Sequence, residues 1–166
     1  MLRDKLVAEI QRKQSFLCVG LDPDLSKMPP SILKEKDPIF SFNKMVIEAT
    51  SDLCVAYKPN IAFYEVFGPK GLESLEKTLE LIPSEVLSIA DGKRGDIGNT
   101  AEKYATTFFD YFGFDAATVS PYMGMETMQA WLAYKEKWTI VLGLTSNPGA
   151  EDFEMLQTQN GKKVFE

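Results

Sequence analysis

The stretch Val86-Leu-Ser-Ile-Ala-Asp91-Gly-Lys93-Arg-Gly-Asp96-Ile-Gly98-Asn-Thr100 changes character at its midpoint, from an apolar run to a cluster of charges and glycines. In an extended strand, residues i and i+2 point to the same face, so Asp91 and Lys93 leave the strand end side by side as an opposed charge pair. Gly92, Gly95 and Gly98 are expected to let the backbone turn sharply, carrying Asp96 out onto a loop. Asn99 is expected to cap the helix that follows, with Glu102 three residues on as its capping-box partner. Strand, charged turn and helix in that order is the arrangement in which α/β proteins place their chemistry.

The same unit recurs on either side. Phe16–Leu21 is a continuous apolar run that reads as a fully buried strand, ending at Asp22-Pro23. Leu53–Lys58 ends at Pro59-Asn60, Ala116–Ser120 ends at Pro121, and Trp138–Thr145 ends at Ser146-Asn-Pro-Gly149. Between them lie helical spacings of apolar residues: Ile39, Phe42, Val46, Ala49 and Leu53; Leu72, Leu75, Leu79 and Ile82, stopped by Pro83; Ala101, Tyr104, Ala105, Phe108 and Phe112; Met125, Met128 and Leu132. Leu2, Leu6 and Ile10 space a short helix at the start, and Phe153 and Leu156 begin another near the end. Asp24–Pro38 reads as loop.

Strands apolar throughout are covered on both faces, which favours a parallel sheet with helices outside. The mean period is roughly 30 residues, that of a closed eight-stranded α/β barrel. An open doubly wound sheet is the rival. It gathers its ligand at one switch point, whereas polar or charged residues stand here at the C-terminal end of every strand, as in a barrel. The expected fold is therefore a TIM-type (β/α)8 barrel with about five βα units in residues 1–166. Those residues read as the N-terminal part of one domain with no internal boundary. Five strands alone would leave two parallel edges unpaired, so three further units are expected in the parent protein.

Composition narrows the chemistry. A net charge of −6 with no basic stripe argues against a nucleic-acid partner. The chain has no histidine, which excludes a His-ligated metal and a Ser-His-Asp triad. Proton transfer must fall to Lys, Asp, Glu, Tyr or Cys. No metal-ligand spacing occurs, and neither metal nor cofactor is expected. Cys18 and Cys54 read as buried, reduced thiols, and Met123, Met125 and Met128 as core filling. No stretch approaches 18 apolar residues, and Met1–Gln14 is charged and amphipathic; a cytoplasmic protein with no membrane partner is expected.

Asp91-x-Lys93-x-x-Asp96 after a third strand resembles the signature of the orotidine 5′-monophosphate decarboxylase superfamily. The likeness extends in order through Val19-Gly-Leu-Asp-Pro23, Tyr57-Lys-Pro-Asn60, Ser120-Pro121 and Leu144-Thr-Ser-Asn-Pro-Gly149, in forms similar to the longer bacterial branch. It implies a homodimeric α/β barrel with shared active sites that converts orotidine 5′-monophosphate to UMP without a cofactor, in pyrimidine biosynthesis. It implies Lys93 as the acid that protonates the carbon left by carbon dioxide, and Asp91 beside the substrate carboxylate. Asp96 would reach into the partner's site, with Ile97 and Thr100 also near the ligand there. Asp22 and Lys58 would bind ribose hydroxyls and join the charge network. Ser146 would contact the pyrimidine, and Asn60, Ser120 and Pro121 complete the substrate-binding set. The family's phosphate-gripping arginine and loop glutamine come from later strands.

Two other functions fit parts of the pattern. Magnesium-dependent sugar-phosphate decarboxylases and synthases of the same superfamily share the Asp-x-Lys-x-x-Asp loop, but carry an acid where this chain has Lys58. A non-catalytic nucleotide-binding partial barrel would suit the five-unit length. Taken singly, Asp91 with Lys93 is an ordinary surface ion pair, and Asp22-Pro23 and Ser146–Gly149 are ordinary turns; their order along the chain is what sets them apart.

Overall fold

The computed structural model describes residues 1–166. Five strands, β1 (Leu17–Leu21), β2 (Cys54–Pro59), β3 (Leu87–Arg94), β4 (Ala116–Val119) and β5 (Trp138–Val141), form one sheet in the order β1-β2-β3-β4-β5. Every adjacent pair is parallel. Each strand therefore lies beside its predecessor and the order never reverses. A doubly wound sheet reverses at its switch point; a barrel does not. The architecture is α/β, a partial barrel.

Helices connect the strands: α1 (Arg3–Lys13) precedes β1, α2 (Pro38–Thr50) follows it, α3 (Ala62–Glu65) and α4 (Pro69–Glu80) follow β2, α5 (Gly98–Thr106) follows β3, α6 (Glu126–Leu132) follows β4, and α7 (Ala150–Phe153) follows β5. The largest apolar cluster fills the space between the outer sheet face and these helices, where Ala90, Ala117 and Val119 meet Phe108, Phe109, Phe114, Met128 and Trp131. A smaller cluster of Ala56, Leu87, Ile89 and Ala116 is joined by Met1, Leu6 and Trp138. Trp138 Nε1 donates to the Met1 carbonyl at 2.6 Å, and the Met1 amino group pairs with Asp115. The first helix thus covers one end of the sheet's inner face. Ile89 and Asp91 share that face, two residues apart, so the charged strand ends lie at the opposite end.

The strand end that carries Asp22 is braced from behind. Tyr64 on α3 donates its phenolic hydrogen to the Leu21 carbonyl at 3.0 Å and accepts from Asn43 Nδ2 at 2.9 Å. Asn43 also donates to Thr78 Oγ1 at 3.0 Å. All three side chains are fully buried, so one polar network ties β1 to α2, α3 and α4.

Several expectations need correcting. β1 is not buried throughout: Leu17, Cys18 and Gly20 are exposed. Val19 and Leu21 pack outward against a cluster containing Ile47 and Tyr57, which turns Cys18 to an inner face with no strand opposite. Cys54 is buried as expected, and Cys18 is not. β5 stops at Val141, short of Thr145, and Ile140 and Val141 are open to solvent because no strand pairs with its far edge. Met128 is core, but Met123 and Met125 are 46% and 70% exposed on the loop before α6. Within Asp24–Pro38 lie two short 3₁₀ turns, Leu25–Lys27 and Ile32–Lys34. Asn99 does not cap α5: the helix starts at Gly98, two residues earlier than such a cap requires, and its N-cap, Ile97, makes no side-chain cap bond.

Candidate active site

β3 does not end at Asp91 but runs on to Arg94. Its pairing with β4 slips on the way: Ala90 faces Ala117 and Arg94 faces Val119, so four steps on β3 span two on β4. The surplus residues bulge from the ladder. That bulge presents Asp91 and Lys93, and Lys93 sits in the left-handed region at φ 45°, a strained conformation for a residue with a β-carbon.

Asp91 is the centre of the site, with 7% of its surface exposed. Lys58 Nζ, from the end of β2, donates to Asp91 Oδ2 at 2.6 Å. Lys93 Nζ donates to Asp91 Oδ1 at 2.6 Å, and Thr118 Oγ1 on β4 donates to the same oxygen at 3.0 Å. Burial pushes the Asp91 carboxyl up, but the hydrogen bonds and charges of Lys58 and Lys93 more than offset it and hold it below the usual carboxylate range. Asp91 is therefore ionised at neutral pH, between two ammonium groups.

The three glycines have different tasks from the one expected. Only Gly98 has a positive φ, 56°. A β-carbon on Gly92 would lie 2.7 Å from Phe108 Cζ, and one on Gly95 would lie 3.0 Å from Ser120 Cβ. Gly92 lets the end of β3 lie close to the Phe108 ring, just beyond α5, and Gly95 lets the following loop pass close to Ser120, just beyond β4. Arg94 points away from the site, over the rings of Tyr104 and Phe108 at 5.2 and 5.6 Å, and pairs with Glu65 on α3. The loop is anchored from outside while Asp91 and Lys93 face in.

The remaining candidates divide into two groups. Asn60 joins the cluster through the main chain, forming a bridge with Asp91, and the Ile61 N–H donates to the Asp91 carbonyl at 3.2 Å. Ser120 is tied to the end of β3 next to the cluster, its N–H donating to the Arg94 carbonyl at 2.7 Å. Asp22, Asp96, Ile97, Thr100, Pro121 and Ser146 make no side-chain bond to the cluster. Asp22 is exposed at the end of β1. Asp96 accepts from the next residue's N–H, Ile97, at 2.9 Å, and Ile97 is 47% exposed. Pro121 and Ser146 are exposed.

Thr118 lies outside the strand-end motifs and belongs to the site all the same. The signal for it was present: a hydroxyl in the apolar run Ala116–Val119, two residues before Ser120 and so on the same face.

The site offers a cation held at a fixed point beside an ionised acid, with the Lys93 side chain about half exposed (51%). Such an ammonium can hold developing negative charge and give up a proton. No three His, Cys, Asp or Glu side chains converge to hold a metal ion, and no helix is long and apolar enough to cross a membrane.

The sequence profile of the orotidine 5′-phosphate decarboxylase / HUMPS family matches residues 15–165. An orotidine 5′-phosphate decarboxylase of Parabacteroides distasonis is 54% identical over 170 residues, covering all of this chain and 60% of that protein. One from Christiangramia forsetii is 54% identical over 172 residues, covering all of this chain and 63% of that one. The solved structure of Leishmania donovani OMP decarboxylase superposes with a TM-score of 0.85 at 36% identity, over 98% of this chain and 60% of that one. The chain thus spans about 60% of the length of the curated relatives it matches.

Proposed function

We propose, from the premise that this chain belongs to the orotidine 5′-phosphate decarboxylase / HUMPS family, that the whole protein decarboxylates orotidine 5′-monophosphate to UMP in pyrimidine biosynthesis. Residues 1–166 are then the N-terminal part of one (β/α)8 barrel in a cytoplasmic homodimer. The observation that carries the reading is the line Lys58–Asp91–Lys93, two ammonium groups on opposite oxygens of one buried carboxylate.

In the reaction, the bond from the pyrimidine ring to its carboxylate breaks, its electron pair stays on the ring carbon, and carbon dioxide leaves. Lys93 attracts that carbon as charge gathers there, then delivers a proton to it. Attraction that grows toward the transition state is what accelerates a step. Asp91 would stand against the substrate's own carboxylate. Like charges about 4 Å apart repel by roughly 4 kcal/mol at an effective dielectric near 20, a cost that departure of carbon dioxide relieves. Binding of the distant ribose and phosphate offsets it in the bound state. Asp22 and Lys58 serve the ribose, with Asn60, Ser120 and Pro121 around the substrate and Ser146 at the pyrimidine. Asp96, Ile97 and Thr100 serve the neighbouring subunit's site; that none of their side chains bonds to the Asp91 cluster within one chain supports that assignment.

The magnesium-dependent reading needs a cation where Lys58 already places an ammonium, 2.6 Å from Asp91. The whole protein is expected to release carbon dioxide from orotidine 5′-monophosphate at the same rate with and without chelator. Loss of activity with chelator would favour the magnesium enzymes, and UMP binding with no turnover would favour the non-catalytic module.

A further inference from the structure

We infer that Thr118 is a positioning residue for the reacting pair, holding Lys93 at its backbone end through the same hydroxyl that orients Asp91. The inference rests on the reading of Asp91 and Lys93 given above. Where β3 bulges, the β4 ladder loses its main-chain partners, and the one β4 residue opposite the bulge is Thr118. Its Oγ1 takes the place of a carbonyl: the Lys93 N–H donates to it at 2.9 Å. The hydroxyl has one hydrogen to give. Asp91 Oδ1 at 3.0 Å is nearer than the Ala90 carbonyl at 3.4 Å, and it is charged, so the hydrogen goes to Asp91.

A closed ring results. It runs from the Lys93 N–H to Thr118 Oγ1, on to Asp91 Oδ1, and back through Lys93 Nζ to the same residue. Both ends of the lysine are fixed against one hydroxyl–carboxylate unit. This ring supports Lys93 at φ 45°, a conformation that persists only where the surroundings over-determine it. Thr118 is 7% exposed, and its branched β-carbon limits the directions the hydroxyl can take. No other residue on β4 reaches both members of the pair.

The test compares Thr118→Val, which keeps the shape without the hydroxyl, with Thr118→Ser, which keeps the hydroxyl. The titratable groups facing Asp91 are Lys58 on β2, Lys93 on β3 and the Cys18 thiol on β1, and neither variant substitutes any of them. In the whole protein, Thr118→Val is expected to raise the midpoint of the Asp91 carboxyl, read by carbon-13 NMR, and to speed hydrogen exchange at the Lys93 amide. It should lower kcat by on the order of 10²-fold with KM little changed, and Thr118→Ser should recover most of that loss. An Asp91 midpoint and Lys93 exchange rate unchanged by valine overturn the inference. If the valine variant does not fold, exchange in the unsubstituted protein decides: a fast Lys93 amide overturns the inference and a protected one supports it. Decarboxylation present with the NMR readings unmoved sinks the role of Thr118 alone. Readings that move in a protein with no decarboxylation sink the function proposed above and leave the ring standing.

Discussion

Lys58 Nζ lies 2.6 Å from Asp91 Oδ2 although the two residues stand 33 apart in sequence, at the ends of neighbouring strands. That contact makes Asp91 a stability-determining group with a definite pH signature. Burial raises its carboxyl and the two lysines lower it further than burial lifts it, so the folded value lies below the unfolded one. Such a group contributes stability that is fully present above the unfolded value and is lost as pH falls through the folded one. The stability gap between the natural protein and Asp91→Asn should be constant above about pH 5 and shrink below it, vanishing once pH passes under the depressed folded value. In a Lys58→Met background the folded value rises, so the gap should close at higher pH. Urea unfolding from pH 3 to 7 measures both; a gap that does not change with pH would refute the assignment.

Replacing Lys93 by alanine separates chemistry from binding. The ammonium is proposed to act on charge that exists only once carbon dioxide departs, so removing it should lower kcat by at least about 10³-fold. UMP has no carboxylate and presents no such charge, and its affinity should change modestly. Calorimetry with UMP beside steady-state kinetics checks both halves. Survival of turnover in Lys93→Ala would end the mechanism.

The glycines around the site give a contrast that requires no activity. A methyl on Gly92 would strike the buried ring of Phe108, at 2.7 Å from Cζ, with the core unable to yield freely. Gly92→Ala should cost about 1–3 kcal/mol, as overpacking does. Gly98 has open space around its β-position, and its φ of 56° is the only objection to a side chain there. Gly98→Ala should cost about 1 kcal/mol, the penalty of a left-handed backbone. Thermal unfolding ranks the two, and a larger loss for Gly98 would show that conformation outweighs packing in this loop.

The strands were legible because each is a nearly unbroken apolar run closed by a proline, glycine or charge. Lys93 and Asp91 stood out for the same reason, as charges set where an apolar run ends. What escaped was what depends on neighbours distant in sequence. Thr118 matters only because β3 bulges opposite it, and periodicity within either strand carries no trace of a register slip. Cys18 lies in as apolar a run as Cys54, and only the sheet's edge decides that one is open and the other buried. Gly92 and Gly95 look like turn residues by composition, yet it is the ring of Phe108 and the side chain of Ser120 that require them. The four-residue helix Ala62–Glu65 is too short to show a period, though its Tyr64 anchors the end of β1.

Asp96 makes no bond to the Lys58–Asp91–Lys93 cluster of its own chain, which leads to a prediction about assembly. The Asp96 side chain accepts from the N–H of Ile97, beside an exposed Ile97 and an exposed Thr100, and both lysines of its own site pair with Asp91 instead. If Asp96 serves a second subunit, each site takes Lys93 from one chain and Asp96 from the other. Lys93→Ala and Asp96→Ala should then both be inactive as pure proteins. A mixed dimer would hold one site lacking both groups and one site lacking neither. Unfolding the two variants together at equal amounts and refolding them should restore activity, up to about a quarter of the natural value, since half the dimers are mixed and half the sites in those are whole. Refolding each variant separately before mixing should restore nothing until subunits exchange. Two inactive variants that stay inactive after refolding together would place Asp96 in its own chain's site, or outside the chemistry altogether.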